Sequence, residues 1–300
     1  MSKLTKFQGC LIGHALADAL CAPYEGGFLE KLLWKMFSTT KDNKIRYTDD
    51  TQMTIDLSQS LIAFKYINQD ALAEKFASSY KWSRGYGPSA ARLLKGIKKG
   101  IDWRILNTKF FNDGSYGNGA AMRIAPIALF YYKEEQKMLR AVEQSAIITH
   151  AHTDAITGAK NIALSVASML NNKHEILFDK LILHNSNIYK EKLILAENWY
   201  SSNKFISTDE VAKKLGNGIE SINSTVTAIY IAMRFIQSEY NEMIEFIQQI
   251  GGDTDTIAAM SASIWGAKNG INAISNKSLE RLESKNDILK LAGELFYLHA

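Results

Sequence analysis

Two short stretches far apart in the chain carry the residue types that could do chemistry. They are Gly251-Gly252-Asp253-Thr254-Asp255-Thr256 and Thr48-Asp49-Asp50-Thr51. Each is followed by apolar residues at helical spacing. Ile257, Met260, Ile264 and Trp265 follow the first, and Met53, Leu57, Leu61 and Ile62 follow the second. Both acidic stretches therefore sit at helix N-termini. A single Asp there reads as a cap, since one acceptor satisfies one orphan N–H. A second carboxylate one or two residues away adds like-charge repulsion that a cation relieves. A donor set made only of oxygens suits Mg²⁺, Mn²⁺ or Ca²⁺ better than zinc.

Two glycine loops are the next candidates: Arg84-Gly85-Tyr86-Gly87 and Gly114-Ser115-Tyr116-Gly117-Asn118-Gly119. Successive N–H groups in such turns can cradle an anion, although glycine and serine also make plain connections. Thr149-His150-Ala151-His152 offers imidazoles that serve as structural hydrogen-bonding residues or as phosphate donors. Arg123, just after the second loop, reads as a buried partner for a carboxylate.

The elements that position these residues read as helices. Apolar periodicity predicts helices over 7–20, 29–37, 50–66, 70–82, 89–96, 120–132, 134–150 and 154–170, then shorter ones between 173 and 198. Further helices are predicted over 208–215, 224–235, 240–250, 254–269 and 287–297. Only three prolines interrupt 300 residues, and period-2 alternation is absent. Gly9, Gly13 and Ala17 share one side of the first helix, which suits close packing. The fold class is all-α: a single compact multi-helix domain over residues 1–300.

Composition narrows the function classes. The net charge of +4 comes without a long basic run, and Lys95, Lys98 and Lys99 fit a solvated helix face, so direct nucleic-acid binding is not expected. No apolar run reaches the ~20 residues that span a bilayer, so no membrane partner is expected. Cys10 and Cys21 make no disulfide framework or metal spacing, which fits a reducing compartment. The expected protein is a cytoplasmic monomer, with an organelle or a secreted effector as the alternatives.

Taken together, these stretches resemble the ADP-ribosylglycohydrolase family. The resemblance runs through Gly9-Cys10-Leu11-Ile12-Gly13 to Asp18 and Pro23-Tyr24-Glu25, then Tyr47-Thr48-Asp49-Asp50-Thr51. It continues through Gly117-Asn118-Gly119-Ala120-Ala121-Met122-Arg123, Thr149-His150, and Gly251 to Thr256 with Gly266-Ala267. The two glycine loops, with Leu215-Gly216-Asn217-Gly218-Ile219 and Thr227-Ala228-Ile229-Tyr230, look like the branch acting on serine-linked ADP-ribose and poly(ADP-ribose). Ala17 and Cys21 stand where glycines are usual, and His14 is a further departure.

The resemblance implies two Mg²⁺ ions, with Mn²⁺ as the other candidate. Thr48, Asp49, Asp50, Asp253, Asp255 and Thr256 would hold them, Asp255 bridging both, with Glu25 on an adjacent loop. It implies Glu25 and Asp253 as the acid and base candidates. Gly85, Gly87, Ser115, Tyr116, Gly117, Asn118 and His150 would bind substrate, and Phe111 and Ile219 would sandwich adenine. Phe110 is the alternative to Phe111, because the loop is one residue shorter than the family pattern. The expected function is removal of ADP-ribose from serine in modified proteins, with poly(ADP-ribose) and O-acetyl-ADP-ribose as further substrates. The alternatives are an arginine-directed hydrolase and an inactive ADP-ribose-binding module.

Overall fold

The computed structural model describes residues 1–26, 34, 38–202 and 204–298. Seventeen α-helices are present among the described residues: α1 (Lys3–Cys21), α2 (Asp49–Phe64), α3 (Gln69–Ser79), α4 (Pro88–Lys98), α5 (Trp103–Leu106), α6 (Gly119–Met122), α7 (Ala125–Tyr131), α8 (Glu135–Ala146), α9 (Thr153–Leu170), α10 (Leu177–His184), α11 (Asn187–Ser202), α12 (Thr208–Lys214), α13 (Thr225–Arg234), α14 (Tyr240–Ile250), α15 (Thr254–Asn269), α16 (Asn276–Leu279) and α17 (Lys285–Tyr297). Pairing between extended segments is limited to three isolated bridges among the described residues. The helix expected over 29–37 lies outside the described residues, apart from Trp34.

The helix expected over 120–132 is two helices, α6 and α7, separated at Arg123 and Ile124. Pro126 explains the break: it has no N–H to give the preceding turn, but fits the first turn of a new helix. Likewise the 134–150 pattern stops at Ala146, where the chain turns to present Thr149 and His150.

The centre of the molecule is the antiparallel pair α1 and α15. A Cβ added at Gly266 would lie 2.1 Å from the Gly9 carbonyl oxygen, and one at Gly9 would lie 2.6 Å from the Gly266 carbonyl oxygen. Only hydrogen fits at that crossing, so the two backbones touch. Gly13 repeats the approach one turn later, 3.0 Å from the Ala262 carbonyl oxygen by the same measure. Residues 254–267 of α15 are all buried, packed by α1 on one side and by α9, α13 and α14 around it. Burying large apolar side chains such as Phe7, Leu16, Ile257 and Trp265 contributes about 1.5–3 kcal/mol each. The crossing brings the C-terminal end of α1 to the N-terminal end of α15, where the Thr254 hydroxyl donates to the Cys21 carbonyl at 3.1 Å.

A second strap closes the other side. Residues 44–47 run beside 280–283: Ile45 N–H donates to the Arg281 carbonyl at 2.7 Å and Glu283 N–H to the Ile45 carbonyl at 3.2 Å. The Glu283 carboxylate accepts from the Tyr47 N–H at 3.1 Å and from the Arg84 guanidinium. The acidic loop before α2 and the glycine turn at Gly85 are thereby tied to one carboxylate. No described helix is long and apolar enough to cross a membrane.

Candidate metal centre and substrate cleft

Three helix ends supply the acids: the last turns of α1 with the 3₁₀ turn Ala22–Tyr24 after it, the start of α2 and the start of α15. Asp18, buried near the end of α1, was not singled out as a site residue from sequence. Its carboxylate accepts from Thr48 N–H at 3.0 Å, Thr51 N–H at 3.1 Å and the Thr51 hydroxyl at 2.5 Å. It thus ties down the start of α2 and sets where Asp49 and Asp50 project. At the same helix start Thr48 is the N-cap, its hydroxyl accepting from Asp50 N–H at 3.2 Å and donating to Asp50 Oδ2 at 3.0 Å.

Asp253 does not behave as the cap its position suggests. Its side chain makes no cap bond to α15; Oδ2 accepts from Asn118 Nδ2 at 2.5 Å. Its N–H donates to the Asn217 carbonyl at 2.8 Å. Gly252 makes this contact feasible, with φ +75° and a would-be Cβ 2.0 Å from that same carbonyl oxygen. Asp255 Oδ1 accepts from Thr256 N–H at 2.8 Å, and the Thr256 hydroxyl reaches Asp50 Oδ2 at 3.3 Å.

The carboxylates converge in two groups, each with one oxygen per residue within 4.8 Å of the others: Asp18, Asp50 and Asp255, and Glu25, Asp253 and Asp255. Asp255 belongs to both. Asp49 joins neither; it faces the cleft beside Gly85, whose would-be Cβ lies 3.8 Å from Asp49 Oδ1. No described Lys, Arg or His forms an ion pair with Asp18, Asp49, Asp50, Asp253 or Asp255. Burial, then Glu25, Asp50 and Asp253, push the Asp255 carboxyl well above its ordinary value. Burial, then Asp18, Asp49 and Asp253, do the same to Asp50, and burial, then Asp18, Glu25 and Asp253, to Asp49. Burial raises Asp253 against the opposing Asn118 bond, and raises Asp18 to about 6 against its threonine donors.

These residues fit a divalent cation. Asp50 Oδ1 is buried with no hydrogen-bond partner. An unpartnered anionic oxygen in such a place is costly unless positive charge meets it. The donors are all oxygens, the choice of a hard ion. Glu25, the least buried member of its group, follows the 3₁₀ turn Ala22–Tyr24 that contains Pro23, and it lines the cleft.

Beside the acids lies an open cleft lined by Gly85, Gly87, Phe110, Phe111, Ser115, Gly117, Asn118, His150 and Ile219. Its floor is knitted by backbone bonds between 116–118 and 219–221: Asn118 N–H to the Ile219 carbonyl at 2.9 Å and Ser221 N–H to the Tyr116 carbonyl at 3.0 Å. Phe110 and Phe111 both line the cleft and are equally exposed. Tyr116 is placed differently. Its ring stacks edge-on against Phe111 and His152 and does not line the cleft.

One other expectation changes. Arg123 is fully buried, but it bonds the Gly119 and Ser145 carbonyls and the Thr149 hydroxyl instead of a carboxylate. Its charge is spread over neutral acceptors because the carboxylates of this region are turned toward the acidic centre. His152 serves as the structural hydrogen-bonding residue expected: its Nδ1 accepts from Asp154 N–H at 3.1 Å and so caps α9.

An all-α domain whose helix ends gather carboxylates beside a glycine-lined cleft is a protein equipped to hold a cation next to a bound ligand. The family model described as ADP-ribosylglycohydrolase matches residues 1–300, and the chain belongs to that family. An uncharacterised protein of Archaeoglobus fulgidus is 31% identical over 98% of this chain and 97% of its own. ADP-ribosylhydrolase ARH3 of Mus musculus is 31% identical over 97% of this chain and 91% of its own, and the Homo sapiens protein of that name is 30% identical over 97% and 93%. The solved structure of an ADP-ribosylglycohydrolase-related protein complex superposes with a TM-score of 0.67 over 99% of both chains at 20% identity, a likeness of fold.

Proposed function

We propose that this protein is a Mg²⁺-dependent hydrolase that releases ADP-ribose from serine in modified proteins. The observation that carries the reading is Asp255, common to two oxygen clusters that open onto the glycine-lined cleft. Asp50, Asp255 and Thr256, with Asp49 and Thr48, would hold one cation, and Glu25, Asp253 and Asp255 the other. When bound, such ions supply Lewis-acid polarisation and positive charge for ribose oxygens. The chain's own groups do the rest. Cleavage at an anomeric carbon builds positive charge on the sugar and negative charge on the leaving oxygen. Asp253, steadied by Asn118, suits a general base for water, and burial raises its carboxyl above its ordinary value. Glu25 suits the acid that protonates the leaving serine oxygen. His150, Ser115 and Gly117 suit the diphosphate, and Phe111 and Ile219 the adenine.

The serine preference is supported by the Gly114–Gly119 and Leu215–Ile219 segments, while relatives named ADP-ribosylhydrolase ARH3 support ADP-ribose hydrolysis in general. A guanidinium leaving group would be best received by a further carboxylate in the cleft. Those lining it are the acids of the cation site. The expected outcome is ADP-ribose release from a serine-modified peptide at least ten times faster than from its arginine-modified counterpart. That ratio needs about 1.4 kcal/mol of differential transition-state stabilisation. Equal rates, or faster arginine cleavage, would show that the cleft reads ADP-ribose alone.

A further inference from the structure

We infer that Arg123 and Thr149 act as positioning residues that fix the tautomer of His150, so that the imidazole presents an Nε2–H donor to the cleft. The argument is one of proton counting. A guanidinium only donates. The contact from Arg123 Nη2 to Thr149 Oγ1 at 2.9 Å therefore occupies a threonine lone pair. Thr149 is buried, and its single hydroxyl proton has one acceptor within reach among the described contacts, His150 Nδ1 at 2.7 Å. The reverse assignment, Nδ1–H donating to Thr149, would leave that hydroxyl proton buried without an acceptor, at a cost of about 1–3 kcal/mol. Nδ1 thus carries the lone pair and Nε2 the proton.

The surroundings are shaped for this arrangement. Gly119 accepts from Arg123 Nη1 at 2.7 Å through its carbonyl, and a Cβ on it would stand 2.5 Å from His150 Cε1 and 2.7 Å from Nε2. The same glycine orients the cation and leaves room for the ring. Arg123 lies over the Phe76 ring, 4.8 Å from its centroid, which fixes the plane of the guanidinium. Burial, then the Arg123 charge, hold His150 far down, at about 3, so the ring is a neutral donor. The ligand that suits a neutral Nε2–H backed by a buried cation is an anionic oxygen, such as that of a diphosphate. That last step rests on the proposed ADP-ribose reading; the tautomer does not.

The test is ¹⁵N-detected NMR of histidine-labelled full-length protein, with the His150 signals assigned by their loss in His150→Asn. Wild type is expected to show a protonated Nε2 and an unprotonated Nδ1. Thr149→Val keeps the shape and removes the relay. It is expected to shift His150 toward the Nδ1–H form or a mixture, and to weaken calorimetric ADP-ribose binding at least fivefold, while Thr149→Ser restores both. A wild-type Nδ1–H tautomer, or a Thr149→Val protein with unchanged tautomer, overturns the inference. If wild type binds no ADP-ribose while the tautomer pattern appears as stated, the functional reading fails and the positioning role stands.

Discussion

Asp255 is the residue on which the two oxygen clusters depend, and its surroundings make an opposed pair of effects testable. Asp255→Asn is expected to reduce turnover to near background, because the one carboxylate common to both oxygen clusters loses its charge. The same change should stabilise the cation-free protein. The folded-state value of Asp255 is raised, so its favourable protonated form is fully present below the ordinary carboxylate range and is lost as pH climbs through the raised value. The variant's advantage is therefore largest at neutral and alkaline pH and fades in acid. A rise in Tm on the order of 2–4 °C without metal, together with a smaller Mg²⁺-induced shift than wild type shows, is the expected pattern. A lower Tm at neutral pH would mean that the carboxylate is already neutralised by a protein group. Much of this residue-level picture was readable from the two Thr/Asp stretches, since paired acids at helix starts exceed what capping needs. Asp18 was not, because two of its donors are the backbone N–H groups of Thr48 and Thr51, and N–H groups carry no signature in sequence. The reading of Arg123 failed for a related reason: a buried cation was assigned a buried anion, whereas it donates to carbonyls four residues back and 22 residues on.

Among the elements, the α1–α15 crossing decides how well the acids register. Gly266→Ala places a methyl 2.1 Å from the Gly9 carbonyl oxygen, and backbone cannot yield as a flexible side chain can. The helices must part, with an expected loss of at least about 2 kcal/mol in denaturant unfolding. The Mg²⁺-induced shift should also diminish, because Asp18 rides on one helix and Asp253 and Asp255 on the other. Gly293 in α17 is the control, since an added Cβ there meets nothing within 4 Å. Gly293→Ala should stabilise by about 0.5–1 kcal/mol. Equal effects from the two changes would show that the crossing has slack. The small residues on α1 announced close packing, and apolar periodicity recovered α14 and α15 at their observed ends. The split between α6 and α7 was missed because the apolar pattern continues across it. Pro126 was the available signal. The strap between 44–47 and 280–283 could not be read at all, being held by backbone bonds between distant segments.

At the scale of the whole molecule, His14 joins His150 in opposing stability in acid; it is buried among α1, α2 and α15 with Nε2 3.1 Å from the Thr54 hydroxyl. Burial drives its value from 6.5 down to about 4. Between those values the unfolded chain binds a proton that the folded one refuses, so stability falls as pH drops from about 6.5 toward 4. The full span corresponds to roughly 3 kcal/mol. The acidic centre titrates with the opposite sign, so the comparison that isolates the histidine is with His14→Gln, which cannot take up a proton. Wild type should lose stability relative to this variant as the medium is acidified from neutrality. A pH-independent difference would show that the folded protein accommodates the imidazolium.

The pairing of α1 with α15 also has a consequence for synthesis on the ribosome. The helix α1 emerges long before its main partner α15, and the acids it helps to arrange lie far apart in the sequence. Throughout elongation the apolar face around Gly9, Gly13 and Leu16 has no native cover, and a nascent chain in that condition is a substrate for holding chaperones. Cation binding cannot assist the early stages, because Asp253 and Asp255 have not yet been made. The acidic centre can assemble only as a late, near-complete event, so a chain stalled before α15 lacks the oxygens that a cation would need.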